Sequence, residues 1–311
     1  MNDHTEGCHH CGSAEYRVVF SGPDRQMDLA GRFTFVECRQ CGLFYQHPRP
    51  TWAQLAPHYE GEYNSYYRAL ADDPNPIRRA IHRLGPLKQR RYVEKFAAGG
   101  ALLDIGCGTG TFLEEMQRSA ARWRLYAIEP TRSAAEYVGQ RFGIPVLNTT
   151  FEAASFQSES LDAVCMWNVF EHLERPFEAL DRIHAMLKPG GVFVFALPNY
   201  ESLARAIFGK YWLGWDLPRH LYIFPEPIIR QIAASHGFEV VDKSCFSSTY
   251  KALEESLKFW MQSWPGFLQG LGRLIIKAYA HPAAHVALLP LLKLTEKLNK
   301  ATVITWSLKK K

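Results

Sequence analysis

From about residue 101 to residue 245, short apolar runs of strand length alternate with stretches whose apolar positions recur every three or four residues. Residues 101–105 predict a buried strand, 111–121 a helix, 125–129 a second strand and 132–142 a second helix. Further strands are predicted near Val146 and over 161–167, 192–197 and 238–245, with a helix over 177–187 closed by Pro189-Gly190-Gly191. A last strand is predicted over 301–308, after an apolar, basic stretch divided by Pro265, Pro282 and Pro290. Parallel strands need a crossover, and a helix is the usual one. The expected fold class is therefore α/β: a doubly wound, mostly parallel sheet of seven strands, with a helical insertion before the last. Ahead of this block lie a Cys-rich segment and a Tyr- and Pro-rich one. The boundaries expected are 1–50, 51–98, 99–247, 248–298 and 299–311.

With 311 residues, 47% of them hydrophobic, the chain can bury one large core and carry appendages. A charged fraction of 22% and an aromatic fraction of 13% exclude a disordered chain. The start, Met1-Asn2-Asp3-His4, lacks the apolar core of a signal peptide, and seven unevenly placed cysteines fit a reducing compartment, so a cytoplasmic location is expected. The net charge of +5 is unevenly spread: residues 251–311 hold ten Lys and Arg against three Glu, which leaves the first 250 residues slightly acidic. A basic excess confined to the tail disfavours a nucleic-acid partner for the body of the protein.

Candidate chemistry begins with Leu103-Asp104-Ile105-Gly106-Cys107-Gly108-Thr109-Gly110, which ends the first strand and opens a helix. Glycines there admit the backbone to a ligand, and the helix start offers unpaired N–H groups. A dinucleotide loop would need glycine where Thr111 stands. Glu129 closes the second strand, where a carboxylate accepts hydrogen bonds from both hydroxyls of a ribose. Cys107 and Cys165 read as small core residues.

These motifs, with Asn168-Val169-Phe170-Glu171-His172-Leu173 after the fourth strand and Leu187-Lys188-Pro189-Gly190-Gly191 before the fifth, resemble the class I S-adenosylmethionine (SAM) methyltransferases over roughly residues 100–245. The resemblance implies SAM as cofactor, with Asp104, Gly106, Gly108 and Gly110 around its methionine end, Glu129 on the ribose, Thr150 and Phe151 near the adenine and Asn168 at its edge. Trp215-Asp216-Leu217-Pro218-Arg219-His220-Leu221-Tyr222 is similar to a segment of the branch that holds ubiquinone-pathway O-methyltransferases and bacterial polysaccharide or sugar methyltransferases. Methyl transfer needs an acceptor held in line and its proton removed. His172 and His220 are the candidate bases, each with a structural role as the alternative. Asp216 and Arg219 would line an acceptor pocket, and Arg219 suits an anionic acceptor. Tyr59, Tyr63, Tyr66 and Tyr67 are read either as a lid, with Tyr63 and Tyr67 on the substrate and rings facing a sulfonium, or as a packed aromatic linker.

Cys8-His9-His10-Cys11-Gly12 and Cys38-Arg39-Gln40-Cys41-Gly42 are paired knuckles. Four thiolates in two chelating pairs suit a tetrahedral structural Zn2+, and leave no open coordination position for catalysis. A redox dithiol would need one pair only. The segment through Pro48-Arg49-Pro50 resembles the zinc-ribbon leader of bacterial glycan-type methyltransferases. Two rivals stay open. One is an rRNA methyltransferase whose ribbon grips RNA, against which Arg17, Arg25, Arg32 and Arg39 are balanced by Glu15, Asp24, Asp28 and Glu37. The other is a non-catalytic SAM-binding scaffold, whose expected mark, a damaged glycine loop, is not seen. Residues 260–298 form either a helical cap on the sheet or a partner subunit, or a peripheral contact with the inner face of a membrane. The resemblance implies a small-molecule or glycan-type acceptor methylated on oxygen, and a lipid-linked glycan or a quinone precursor would explain a membrane contact.

Overall fold

The computed structural model describes residues 7–55, 58, 82–120, 122–246 and 250–311. The tyrosines 59, 63, 66 and 67 lie outside them. Strands, in chain order, are β1 (Tyr16–Gly22), β2 (Phe33–Cys38), β3 (Phe44–Gln46), β4 (Gly100–Ile105), β5 (Trp123–Ile128), β6 (Val146–Leu147), β7 (Leu161–Trp167), β8 (Leu187–Pro198), β9 (Tyr222–Ile223), β10 (Phe238–Ser244) and β11 (Val303–Lys310). The chain divides into two compact units. One comprises residues 1–58, 198–229 and 244–304, the other 59–197, 230–243 and 305–311.

The second unit holds the seven-stranded sheet, in the order β10-β11-β8-β7-β4-β5-β6. It is mixed and mostly parallel, as the pattern predicts. The β4 strand pairs in parallel with both β5 and β7, Leu102 lying between Leu125 and Ala163. A strand flanked on both sides has no polar alternation, and accordingly Ala101, Leu102, Leu103 and Ile105 are all buried. Successive strands leave β4 in one direction and β7 continues in the other, so the strand order reverses beside the carboxyl ends of β4 and β7. That reversal is where open α/β sheets form ligand crevices. The helix Pro176–Met186 begins on proline, whose fixed φ suits the first helical position, and β8 follows it without a loop, through Lys188 and Pro189. The strand therefore starts five residues earlier than the apolar run predicts. A register shift against β7 accommodates the added residues.

The first unit carries a four-stranded sheet, β1-β2-β3-β9, antiparallel throughout. Its last strand comes from the Trp215–Phe224 region, far from the others in sequence, with Tyr45 opposite Tyr222 and Phe44 opposite Ile223. Phe35, Phe44, Trp212, Trp215, Leu217 and Ile223 form the aromatic core beneath it. The helix Tyr250–Gln262 joins this unit, where the Ser256 hydroxyl accepts the Leu213 N–H at 2.9 Å and Trp260 meets Phe208 at 6.1 Å. The insertion thus packs on the Trp-rich segment through its first helix. It continues through the helices Gln269–Tyr279 and Pro282–Lys297. No described helix is long and apolar enough to cross a membrane.

Candidate active site

The glycine loop leaves β4 at the strand reversal. Gly106, Gly108 and Gly110 have φ of 71°, 53° and 74°, a region costly for residues with a Cβ. At Gly106 a Cβ would also stand 2.6 Å from Val169 Cγ2, so the loop and the turn after β7 approach more closely than any other residue permits. Gly110 precedes the helix Thr111–Gln117. Beneath the loop, Asp104 is buried and its Oδ1 has no hydrogen-bond partner among the described residues. Burial, and then the neighbouring Glu129 charge, raise the Asp104 carboxyl well above its ordinary range.

Glu129 follows β5 and is also buried, but both its oxygens are used. Oε2 accepts the Gly108 N–H and Oε1 the Thr131 N–H, each at 2.9 Å. A carboxylate oxygen has two acceptor sites, so these bonds fix the group's orientation and leave acceptor capacity for hydroxyls. Asn148 secures the same corner by donating to the Glu129 and Pro130 carbonyls at 2.9 Å. Thr150 is exposed, while Phe151 is buried under the Arg182 guanidinium, 4.6 Å from the ring centroid. Asn168 directly follows β7 with a left-handed φ of 56° and is exposed. His172 lies in the short turn Phe170–His172, its N–H bonded to the Val169 carbonyl at 3.0 Å, beside the fully buried Glu171.

An orphaned carboxylate oxygen, a loop free of Cβ atoms and an oriented second carboxylate fit a ligand with a cationic end and vicinal hydroxyls. SAM has both. Asp104 and the loop are suited to its methionine part, and Glu129 to its ribose.

In the first unit, Arg219 is 0% exposed and its guanidinium is shared by two carboxylates. Nη1 and Nη2 donate to the two oxygens of Asp24 at 2.9 Å each, while Nε and Nη2 donate to Asp216, the shorter bond being 2.6 Å. Burial alone would lower the guanidinium's affinity for its proton; Asp216 and Asp24 reverse that and hold it above the ordinary value. Burial likewise disfavours the charged form of Asp24, but the Arg219 bonds and charge hold it below its usual range. His58 adds a bond from Nδ1 to Asp24 Oδ2 at 2.7 Å. The Asp216 and Arg219 expected to face an acceptor are thus spent largely on one another and on Asp24.

His220 follows directly. Its Nδ1 lies 2.8 Å from the Gly214 carbonyl oxygen, which can only accept, so Nδ1 carries the proton and Nε2 is the basic nitrogen. Burial lowers its pKa and outweighs Asp216, whose Oδ2 is 3.8 Å from Nε2. The ring is therefore neutral at pH 7. Gln46 of β3 donates to the Pro218 and His220 carbonyls at 2.7 and 2.6 Å and fastens this loop to the ribbon.

The ribbon's four cysteines converge. Cys8 and Cys41 Sγ are 3.6 Å apart, Cys11 and Cys38 Sγ 3.5 Å, and all four sulfurs lie within 4.8 Å of one another. A tetrahedron with metal–sulfur bonds of about 2.3 Å has edges of about 3.8 Å. The cluster has the ligands and spacing for a metal. Gly12 and Gly42, at φ of 75° and 81°, turn each knuckle so that their N–H groups return to the Cys8 and Cys38 carbonyls.

Sequence reasoning passed over Asp24, Gln46 and the Gly214 carbonyl. The only signal for Asp24 was its place in Gly22-Pro23-Asp24, which reads as a turn.

A family model described as a methyltransferase domain matches residues 69–243. The chain is 32% identical over 198 residues to the ubiquinone biosynthesis O-methyltransferase of Methylocella silvestris, covering 56% of this chain and 73% of that protein. To the protein of the same name from Ruegeria pomeroyi it is 29% identical over 197 residues, covering 56% and 79%. A SAM-dependent methyltransferase from Archaeoglobus fulgidus superposes with a TM-score of 0.51 at 19% identity, covering 80% of this chain and 100% of that one. The [4+2]-cyclase SpnF gives 0.53 at 16% identity, covering 84% and 97%. At such identities the likeness is of fold alone, and a cyclase among the neighbours shows why fold does not name a reaction. The family match spans more than half of the chain, which therefore belongs to the methyltransferase-domain family. It is a SAM-dependent methyltransferase.

Proposed function

We propose that the chain methylates a hydroxyl oxygen of a small-molecule acceptor of phenol or sugar type, with Asp104, Gly106, Gly108, Gly110 and Glu129 holding SAM, Thr150 and Phe151 near its adenine and Asn168 at its edge. The observation that carries the cofactor reading is the buried Asp104 oxygen under a loop that only glycine can form. Support for oxygen as the atom methylated comes from the names of the relatives, O-methyltransferases of ubiquinone biosynthesis. Bound SAM supplies an electrophilic methyl on a sulfonium. The acceptor must lose a proton as its oxygen forms the new C–O bond and the S–C bond breaks, and a neutral imidazole takes that proton. His220 has the fixed tautomer and burial-lowered pKa for this, and His172 stands in the cofactor unit itself. Asp216 and Arg219 hold the His220 loop instead of touching the acceptor. Cys8, Cys11, Cys38 and Cys41 hold one structural Zn2+.

The test is transfer from methyl-labelled SAM to a panel of simple phenols, reducing sugars, primary amines and ribosomal RNA. Label on oxygen is expected, and His220→Ala lowers the single-turnover rate about 100- to 10,000-fold with SAM affinity unchanged. A selective loss in His172→Ala alone moves the base there. Label recovered on nitrogen, carbon or RNA overturns the oxygen reading. Metal analysis of protein purified without chelator should give one zinc per chain, and its absence removes the zinc site.

A further inference from the structure

The helices that end the first unit bury one side and display another. In Gln269–Tyr279, Gly272 is buried and Ile275, Ile276 and Tyr279 are half-buried, whereas Leu271 and Leu274 are exposed, Leu274 at 65%. Phe267, 84% exposed, precedes Leu271 by four residues. Phe267 lies in the turn Gly266–Leu268 just before the helix, Leu271 and Leu274, three residues apart, share one helical face, and Arg273 and Lys277 are exposed beside it. The helix Pro282–Lys297 repeats the arrangement. Leu292 and Thr295 are buried, and Val286, Leu289, Leu291 and Leu294 are exposed with Lys293 and Lys297 among them.

The acidic residues of this region are already engaged. Glu254 and Glu255 pair with Lys251 and Lys258, and Glu296 with Lys293. Arg273, Lys277 and Lys297 form no ion pair with a described residue. Exposed apolar side chains in this number mark a contact surface. Lysine is depleted from protein interfaces, and a second copy would bring like charges together. A bilayer of anionic lipid meets both needs at once: the apolar side chains enter the boundary between headgroups and acyl chains while the cations meet phosphates.

We propose that the exposed faces of the helices Gln269–Tyr279 and Pro282–Lys297 dock the enzyme peripherally on anionic lipid bilayers. This is independent of the acceptor and of the catalytic base. The test is co-sedimentation of the full chain with vesicles of phosphatidylcholine alone and of phosphatidylcholine mixed with phosphatidylglycerol. Binding is expected only to the mixed vesicles, and weakens with added salt. Arg273→Gln with Lys277→Gln weakens it by about fivefold per charge removed, roughly 25-fold together. Phe267→Ser with Leu274→Ser also weakens it, and since all four side chains are exposed, melting temperature and SAM affinity stay at wild-type values. Absence of binding to either vesicle, or equal binding to both, overturns the proposal. So does a concentration-dependent dimer that the Phe267 and Leu274 substitutions abolish without lipid.

Discussion

Asp24 and Asp216 in the first unit, and Asp104 and Glu129 in the second, are both carboxylate pairs withdrawn from water, yet the protein resolves them in opposite ways. The first pair closes on Arg219, so Asp24 is held below its ordinary range although burial pushes the other way. Among the described residues the second pair receives backbone N–H groups at Glu129 only and no side-chain cation is paired with Asp104, and burial with the Glu129 charge drives Asp104 upward. Desolvation is common to both, and the presence of a guanidinium decides the sign. A pair neutralised by the chain's own cation is scaffold. One left with an unmatched oxygen suits a cation from outside, and a methyltransferase cofactor brings a sulfonium and an ammonium.

The largest effect that tests this contrast is expected at Arg219. Arg219→Met keeps most of the volume but leaves two buried carboxylates facing each other, which costs about 3–5 kcal/mol. Urea denaturation measures it. Arg219→Lys should recover little, because an ammonium cannot serve two carboxylates through a planar fork. Combining Arg219→Met with Asp24→Asn and Asp216→Asn should return much of the loss, since the uncompensated charges are then gone. A loss near zero in Arg219→Met would mean that the first pair is not clamped at all, and the contrast between the units would fall.

The second pair was legible in the sequence and the first was not, for a physical reason. Asp104, the glycines and Glu129 are placed by strand ends, and strand ends follow from apolar runs of five or six residues. The seven strands and their helices were legible on the same ground. Arg219 and Asp216 were visible as a polar cluster, but their partner Asp24 lies 195 residues away from Arg219. Its local surroundings explain it completely: Asp24 Oδ1 accepts the Gln26 and Met27 N–H groups at 3.0 Å, as an aspartate in a turn does. A residue with a satisfied local role gives no hint of a distant one. The same holds for β9, two residues long, which joins the ribbon sheet because Gln46 and Tyr45 receive it and not because of any strand pattern of its own.

A smaller effect, but one of opposite sign in two measurements, is expected at Asp104. Asp104→Asn keeps the shape and removes the charge. SAM affinity measured by calorimetry should fall about tenfold to a hundredfold, because a hydrogen bond to a charged group contributes about 1.5–3 kcal/mol. Stability should move the other way. The folded pKa of Asp104 is raised above the unfolded value of about 3.9, so the wild-type protein loses stability as pH rises from about 4 through the folded value. The Asn variant escapes that loss: near pH 4 the two have the same denaturation midpoint, and at pH 7 to 8 the variant is the more stable. Asp24→Asn supplies the mirror image. With its folded pKa lowered, Asp24 contributes stability above about pH 4 that disappears as pH falls through the folded value, so this variant is weaker than wild type at pH 7 and the gap closes on acidification. Opposed slopes for the two variants keep the units distinct. Should Asp104→Asn instead be destabilised at pH 7 with SAM affinity intact, Asp104 would be scaffold like Asp24, and the cofactor's cationic end would have to be held by other groups.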